Sequence, residues 1–390
     1  MNPRAALEWS LAAVALAAPL SIAGMNLALA LLTAAVAWDY RRDERLRASL
    51  SAVSRSPAFK LLAAGTAWAL ASSLTGIDLA RSLNALPKEL HKLWVFVVLG
   101  AALATTRRDK ALVGLAGGLA TAALIGLTQT ASLSGGEAGF VRARGFVHAV
   151  VYGEIAGLGL LGAAAYLALG GVEGRARKAA AAVTVLLAAA LLLNQTRAVL
   201  IALAFVVPAA AWEAPRLRRL LLITALALAA VLALWEVMPT GGRNLRTLLQ
   251  DGPASSAHRA RLILWSGAWK MARERPVTGV GPGNFRRAFE ESRLDARLDG
   301  ERIWGSAHNL YLHQLAERGV PGFALLLALF IAFYAGARRA WRARRDATAL
   351  WAMSAAVAFA VMNMTETAWQ TEQAATYFLL CWLWGAGPRA

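Results

Sequence analysis

The stretch Arg107-Arg108-Asp109-Lys110-Ala111-Leu112-Val113-Gly114-Leu115-Ala116-Gly117-Gly118-Leu119-Ala120-Thr121-Ala122-Ala123-Leu124-Ile125-Gly126-Leu127-Thr128-Gln129 places a cluster of basic residues directly before a run that carries no charge. An uncharged apolar helix of about 20 residues matches the hydrocarbon thickness of a bilayer. The arginines and lysine beside it mark the end that stays in the cytoplasm. Working outward, the same alternation recurs along the chain, with apolar runs near 5 to 20, 24 to 38, 59 to 74, 91 to 106, 147 to 169, 179 to 194, 197 to 212, 217 to 237, 320 to 336, 348 to 363 and 374 to 387. With the quoted run, that predicts an all-α polytopic membrane protein of about twelve spans. Pro19 and Gly24 lie between the first two runs, which read as a hairpin or a broken helix. With Arg4 as its only basic flank, the first run is read as a span and not as a cleaved leader.

Basic clusters test this count. Arg41, Arg42, Arg45 and Arg47, then Arg107, Arg108 and Lys110, then Arg175, Arg177 and Lys178, then Arg216, Arg218 and Arg219, then Arg338, Arg339, Arg342, Arg344 and Arg345 all fall on one side if the N-terminus is inside. The opposite connections are poor in lysine and arginine or form the long 238–319 segment. Long translocated segments escape the charge rule. The chain therefore divides into spans one to nine (1–237), an outer loop with amphipathic helices (238–319) and spans ten to twelve (320–390).

Composition agrees: 390 residues that are 58% hydrophobic and only 16% charged exceed what one soluble core can hide. The net charge of +18 would suggest nucleic acid in a soluble chain, but here it is topology, and no nucleic-acid partner is expected. Cys381 is the only cysteine, which excludes a disulfide or a thiolate metal site within one chain.

Some cations sit where topology does not need them. Arg142 and Arg144 precede the sixth span, Arg197 opens the eighth, and Arg81, Lys88 and Lys92 flank the fourth, all on the outer side. Ionisable groups placed so are functional candidates. In a low-dielectric cavity they call for an anion, and guanidinium binds phosphate or pyrophosphate bidentately.

The outer loop holds the remaining chemistry. A helix is predicted from Ser255 through Trp265, Trp269 and Met271, ending before Pro276, with its tryptophan face on the bundle or the membrane surface. Thr278-Gly279-Val280-Gly281-Pro282-Gly283-Asn284-Phe285 reads as a tight turn, with phosphate cradling as the rival reading. Ser306-Ala307-His308-Asn309-Leu310-Tyr311-Leu312-His313-Gln314-Leu315-Ala316-Glu317-Arg318-Gly319-Val320-Pro321-Gly322 predicts a helix that starts near Ser306 or Ala307 and stops at Gly319. His308 then lies in the first turn, where the macrodipole favours a neutral, proton-accepting imidazole. His313 with Glu317 reads as an i,i+4 surface pair of structural role. Asp295, Asp299 and Glu301 read as solvated charges. No Asp-x-Asp pair occurs, so no metal site and no cofactor is expected.

Taken together, Asn194-Gln195-Thr196-Arg197, Arg261-Leu262-Ile263-Leu264-Trp265, Pro276-Val277-Thr278-Gly279-Val280-Gly281-Pro282-Gly283-Asn284-Phe285, His308-Asn309-Leu310-Tyr311-Leu312 and Glu317-Arg318-Gly319-Val320-Pro321-Gly322 resemble the O-antigen ligase and polymerase superfamily of bacterial envelopes. The resemblance implies a metal-independent inverting glycosyltransferase of the bacterial inner membrane with its site facing the periplasm. Its donor would be an O-antigen glycan on undecaprenyl pyrophosphate, and its acceptor a sugar hydroxyl of lipid A-core. It places Arg197, Arg261 and His308 at the family's functional positions, with His308 as general base and the arginines on pyrophosphate. Arg142 resembles a further basic position, although Phe146-Val147-His148-Ala149-Val150 follows Gly145 where the family has Asn-Pro. Arg142, Arg144, Lys88 and Lys92 are expected at the mouth, toward phosphates of the lipid substrates. An O-antigen polymerase, a protein O-oligosaccharyltransferase and, in another class, a transporter of lipid-linked glycans are the alternatives.

Overall fold

The computed structural model describes residues 2–134, 141–170, 172–214, 256–294 and 305–388. Among these residues the chain is helical and contains no strand. The expected ninth span (217–237) and Asp295, Asp299 and Glu301 lie outside the described residues.

Helix α1 (Pro3–Ala17) starts on the Asn2 cap with proline at its first position, and a four-residue turn leads to α2 (Ile22–Tyr40), capped by Ser21. The first two runs are thus a hairpin. Each side-chain cap satisfies an amide the helix cannot pair itself and contributes about 1 kcal/mol. α1 also lies against α6 (Asp109–Leu133), where Gly114 and Gly118 allow the backbones to touch: a Cβ would stand 2.5 Å from the Ala12 carbonyl oxygen and 2.3 Å from that of Leu16. Small residues four apart are how membrane helices approach closely.

Two elements differ from expectation. The basic segment after α2 is not a plain loop: α3 (Glu44–Arg55) turns Leu46, Ser49 and Val53 inward and its arginines outward, and packs on α5 (Leu79–Thr105). α5 itself begins well before residue 91, because Asp78 caps it by accepting from the Arg81 amide. Arg81, Lys88 and Lys92 therefore sit on a helix and do not flank one. Between them, α4 (Pro57–Leu74) starts at the Ser56 cap.

The chain continues through α7 (Ala149–Leu169), α8 (Gly174–Asn194) and α9 (Arg197–Glu213) to α10 (Ser256–Glu274) and the short α11 (Phe285–Glu291). α12 (Leu310–Arg344) is two helices in line, broken as expected at Gly319, whose φ of 64° no continuing helix can hold. α13 (Ala347–Met362), a 3₁₀ turn (Ala368–Gln370) and α14 (Glu372–Ala386) complete it. α14 is buried on every side from Gln373 to Gly385, and Phe359 of α13 stacks on its Phe378 with centroids 4.3 Å apart. A helix apolar all round belongs in the centre, and here it is the axis of the bundle.

Among the described residues five helices, α2, α6, α7, α8 and α12, are long and apolar enough to cross a membrane, as a multi-pass membrane protein requires. Cations gather at the end away from the capped start of α12: Arg108 donates to the Trp384 carbonyl, Arg344 to that of Gly385, and Arg338 and Arg345 pair with Glu213.

Candidate functional site

At the opposite end, α10, α11 and the first segment of α12 build a small second core from Leu264, Met271, Phe285, Phe289, Ala307 and Ala316. The glycine turn seals it. Val280 and Gly281 donate their amides to the Ala316 and Glu317 carbonyls at 2.9 Å, and Phe285 donates to the Glu317 carboxylate at 3.1 Å. Those donors are spent on the helix end, so the turn is a splice and not a phosphate cradle. Gly279 at φ 66° lies so close that a Cβ would meet the Glu317 carbonyl carbon at 2.3 Å.

Asn309 caps α12 by accepting from the Leu312 amide at 3.1 Å, which puts His308 just outside the helix and not in its first turn. His308 adopts a left-handed φ of 47°. The group nearest its ring is a carboxylate and not the helix N-terminus. Nδ1 of His308 lies 3.2 Å from Oε2 of Glu366, and Oε1 of the same carboxylate accepts from Nη2 of Arg261 at 3.1 Å. Side-chain exposures of 23%, 13% and 34% for His308, Glu366 and Arg261 make this a half-sheltered cluster open on the arginine side. Leu310 fixes its frame by donating its amide to the Asn363 and Glu366 carbonyls at 2.9 and 3.1 Å.

A second basic group stands across the site. α8 ends with Gln195 in the left-handed region and α9 starts at Arg197. Arg142 clamps the turn between them, donating from Nε to the Asn194 carbonyl at 2.6 Å and from Nη2 to Thr196 Oγ1 at 2.8 Å. Asn194 in turn donates to the carbonyls of Ala143 and Ala149. Arg142 thus holds backbone. Its burial pushes its pKa down, the Glu366 carboxylate opposes that and the Arg197 charge adds to it, so all three groups lie within electrostatic reach. Arg197 is exposed, with no hydrogen bond or ion pair among the described residues, at a helix N-terminus that itself attracts anions.

The other expected cations fare differently. Arg144 and Lys88 are exposed. Lys92 is not at the mouth, which corrects the expectation: it is 1% exposed, bonded to Glu89 at 2.9 Å, with its ammonium 5.2 Å from the centre of the Trp369 ring. Arg318 reaches the same Glu89 oxygen at 2.6 Å, so a buried ion cluster ties α5 to α12. The pair of His313 and Glu317 exists at 3.3 Å but is buried, not on the surface. Trp265 packs inward and donates to the Ala307 carbonyl, whereas Trp269 is exposed.

Glu366 is the residue that sequence reasoning missed. It stands in the short connection Asn363 to Thr371 between two apolar helices, where no neighbouring residue in the sequence marks it out from a solvated charge.

A histidine and an arginine that share one carboxylate, with Arg142 and Arg197 within electrostatic reach, can accept a proton and hold an anion side by side. Residues 182–327 match the family model described as O-antigen ligase. That segment runs from α8 into α12 and contains Arg197, Arg261 and His308, while Arg142 and Glu366 lie outside it. No curated protein matches the chain.

Proposed function

We propose that the protein is an O-antigen ligase, moving O-antigen glycan from undecaprenyl pyrophosphate to a sugar hydroxyl of lipid A-core at the periplasmic face of the inner membrane. The observation that carries the reading is Glu366 bridging Arg261 and His308. If the Nδ1 proton of His308 is donated to this carboxylate, Nε2 is the basic nitrogen, and the carboxylate steadies the imidazolium that forms. His308 takes the proton of the acceptor hydroxyl, the acceptor oxygen bonds to the anomeric carbon, and the bond from that carbon to the pyrophosphate oxygen breaks with its electron pair. The departing charge is held by Arg261 and Arg197 in their bidentate geometry. One displacement inverts the anomeric configuration. The arginines neutralise the leaving group, the part a metal ion would otherwise play. Base assistance of this kind supplies about 10²- to 10⁴-fold.

The accompanying topology is twelve spans with residues 238–319 outside. It is supported by the gathering of cations at one end of the bundle and of the site at the other. Arg144 and Lys88, exposed near that outer end, are assigned to phosphates of the lipid substrates.

The test is a purified reaction of lipid-linked glycan with lipid A-core, followed by the mobility shift of the acceptor. His308→Ala should bind the donor and transfer almost none of it. Equal transfer by wild type and His308→Ala would remove the base. Glycan that lengthens on its own carrier without lipid A-core would turn the reading to a polymerase.

A further inference from the structure

We propose that His313, fixed by Glu317, is a positioning residue that holds the peptide carrying His308 in its working conformation. This rests on the reading of His308 as the base. A left-handed histidine is uncommon and persists only where its surroundings hold it. His308 at φ 47° is followed directly by the extended cap residue Asn309, and its own amide donates to Ser306 Oγ at 3.4 Å.

The residue before it, Ala307, is fully buried and held from both sides. Its carbonyl accepts from Trp265 Nε1 at 3.0 Å, and its amide donates to His313 Nδ1 at 3.4 Å. An accepting Nδ1 puts the ring proton on Nε2, which points at Glu317 Oε2 3.3 Å away. The other carboxylate oxygen accepts from the Phe285 amide, and the Phe285 ring leans on the imidazole with centroids 5.0 Å apart. A carboxylate that fixes the tautomer of a buried histidine leaves it one acceptor direction. That direction is spent on the residue before His308. Gly281 adds its amide to the Glu317 carbonyl, so the glycine turn, Glu317, His313, Ala307 and His308 form one line of contacts.

Two near-isosteric replacements divide the histidine. Asparagine keeps an acceptor where Nδ1 stands and loses the Glu317 contact; glutamine keeps a donor where Nε2 stands and loses the Ala307 contact. In the full-length protein in lipid nanodiscs, His313→Gln should speed amide exchange of the 305–312 peptide about tenfold, the upper end of what one buried hydrogen bond holds back, and His313→Asn much less. Turnover should follow the same order: kcat falls about tenfold or more in His313→Gln, recovers in His313→Asn, and KM for the lipid-linked donor stays within about twofold. Glu317→Gln, which keeps the acceptor for Phe285 and loses the charge, should lower kcat similarly. Equal exchange in wild type, His313→Asn and His313→Gln overturns the proposal, and so does wild-type kcat in His313→Gln. Exchange reads the backbone directly, so it decides even if wild type proves not to be a ligase. Loosened exchange with a wild-type-like His308→Ala would condemn the base and leave the positioning contact standing.

Discussion

Glu366→Gln keeps the shape of the bridging side chain and removes its charge. In the wild type one carboxylate serves two donors, Arg261 at 3.1 Å and His308 at 3.2 Å. A glutamine oxygen can accept from only one of them at a time in the same geometry, and its amide nitrogen then faces the other. The two losses differ in size. Arg261 is 34% exposed, so water replaces most of that contact and less than about 1 kcal/mol is at stake. His308 and Glu366 are better sheltered, and a hydrogen bond to a charged group contributes about 1.5–3 kcal/mol. That contribution is largest when the ring has taken the acceptor proton. A loss of about 2 kcal/mol in the transition state corresponds to a fall of about 30-fold in kcat, with KM for the donor changed by less than about threefold. The assay is steady-state transfer of lipid-linked glycan to lipid A-core by the purified variant, run beside His308→Ala and the double variant. Since Glu366 acts through His308, adding Glu366→Gln to His308→Ala should lower kcat little further. A kcat within twofold of wild type for Glu366→Gln, or losses that simply multiply in the double variant, would refute the reasoning.

Reporter fusions at Arg177 and Arg344 should read cytoplasm and those at Ser292 and Gln370 periplasm; a cytoplasmic signal at Ser292 would put the site on the wrong face. Gly319→Ala should lower the unfolding temperature in detergent markedly: φ 64° with ψ −170° is backbone that essentially only glycine adopts, at a cost of about 1–3 kcal/mol to other residues, and the new Cβ would stand 2.1 Å from the Val277 carbonyl oxygen. An unchanged unfolding temperature would mean the splice between α12 and the glycine turn is looser than described. Asp78 caps α5 and holds Arg287 at 2.7 Å, and its pKa is lowered chiefly by the Arg81 amide. Its folded pKa is below the unfolded value near 3.8, so its stabilisation is present above that pH and lost as pH falls through the lower folded value. Exchange of the 285–291 peptide should therefore rise below about pH 4 in wild type and show a weaker pH dependence in Asp78→Asn, as hydrogen exchange corrected for its intrinsic rate can measure.

Much of this architecture was legible along the chain. The helices that cross the bilayer follow from runs of local composition. The exact helix starts were less legible: Asp78 caps α5 well before the apolar run at 91, and Asn309, not Ser306 or Ala307, caps α12. The break at Gly319 before Pro321 follows from the backbone those two residues allow. Arg197 stood out as a cation that topology does not need, His308 by its place at a helix start, and Arg261 through the resemblance of its motif. The site around them was not legible, since Glu366 meets His308 across 58 positions and Arg261 across 105. In sequence it is one carboxylate in a short loop, indistinguishable from a solvated charge. Lys92 and His313 show the converse, for each looked like a surface residue until helix packing buried it beside Glu89 and Glu317. Local rules of hydropathy, capping and backbone sterics act over one or two turns and are written in adjacent residues. Which charge meets which is decided by helix packing, because a sheltered ion needs its partner in space and not along the chain.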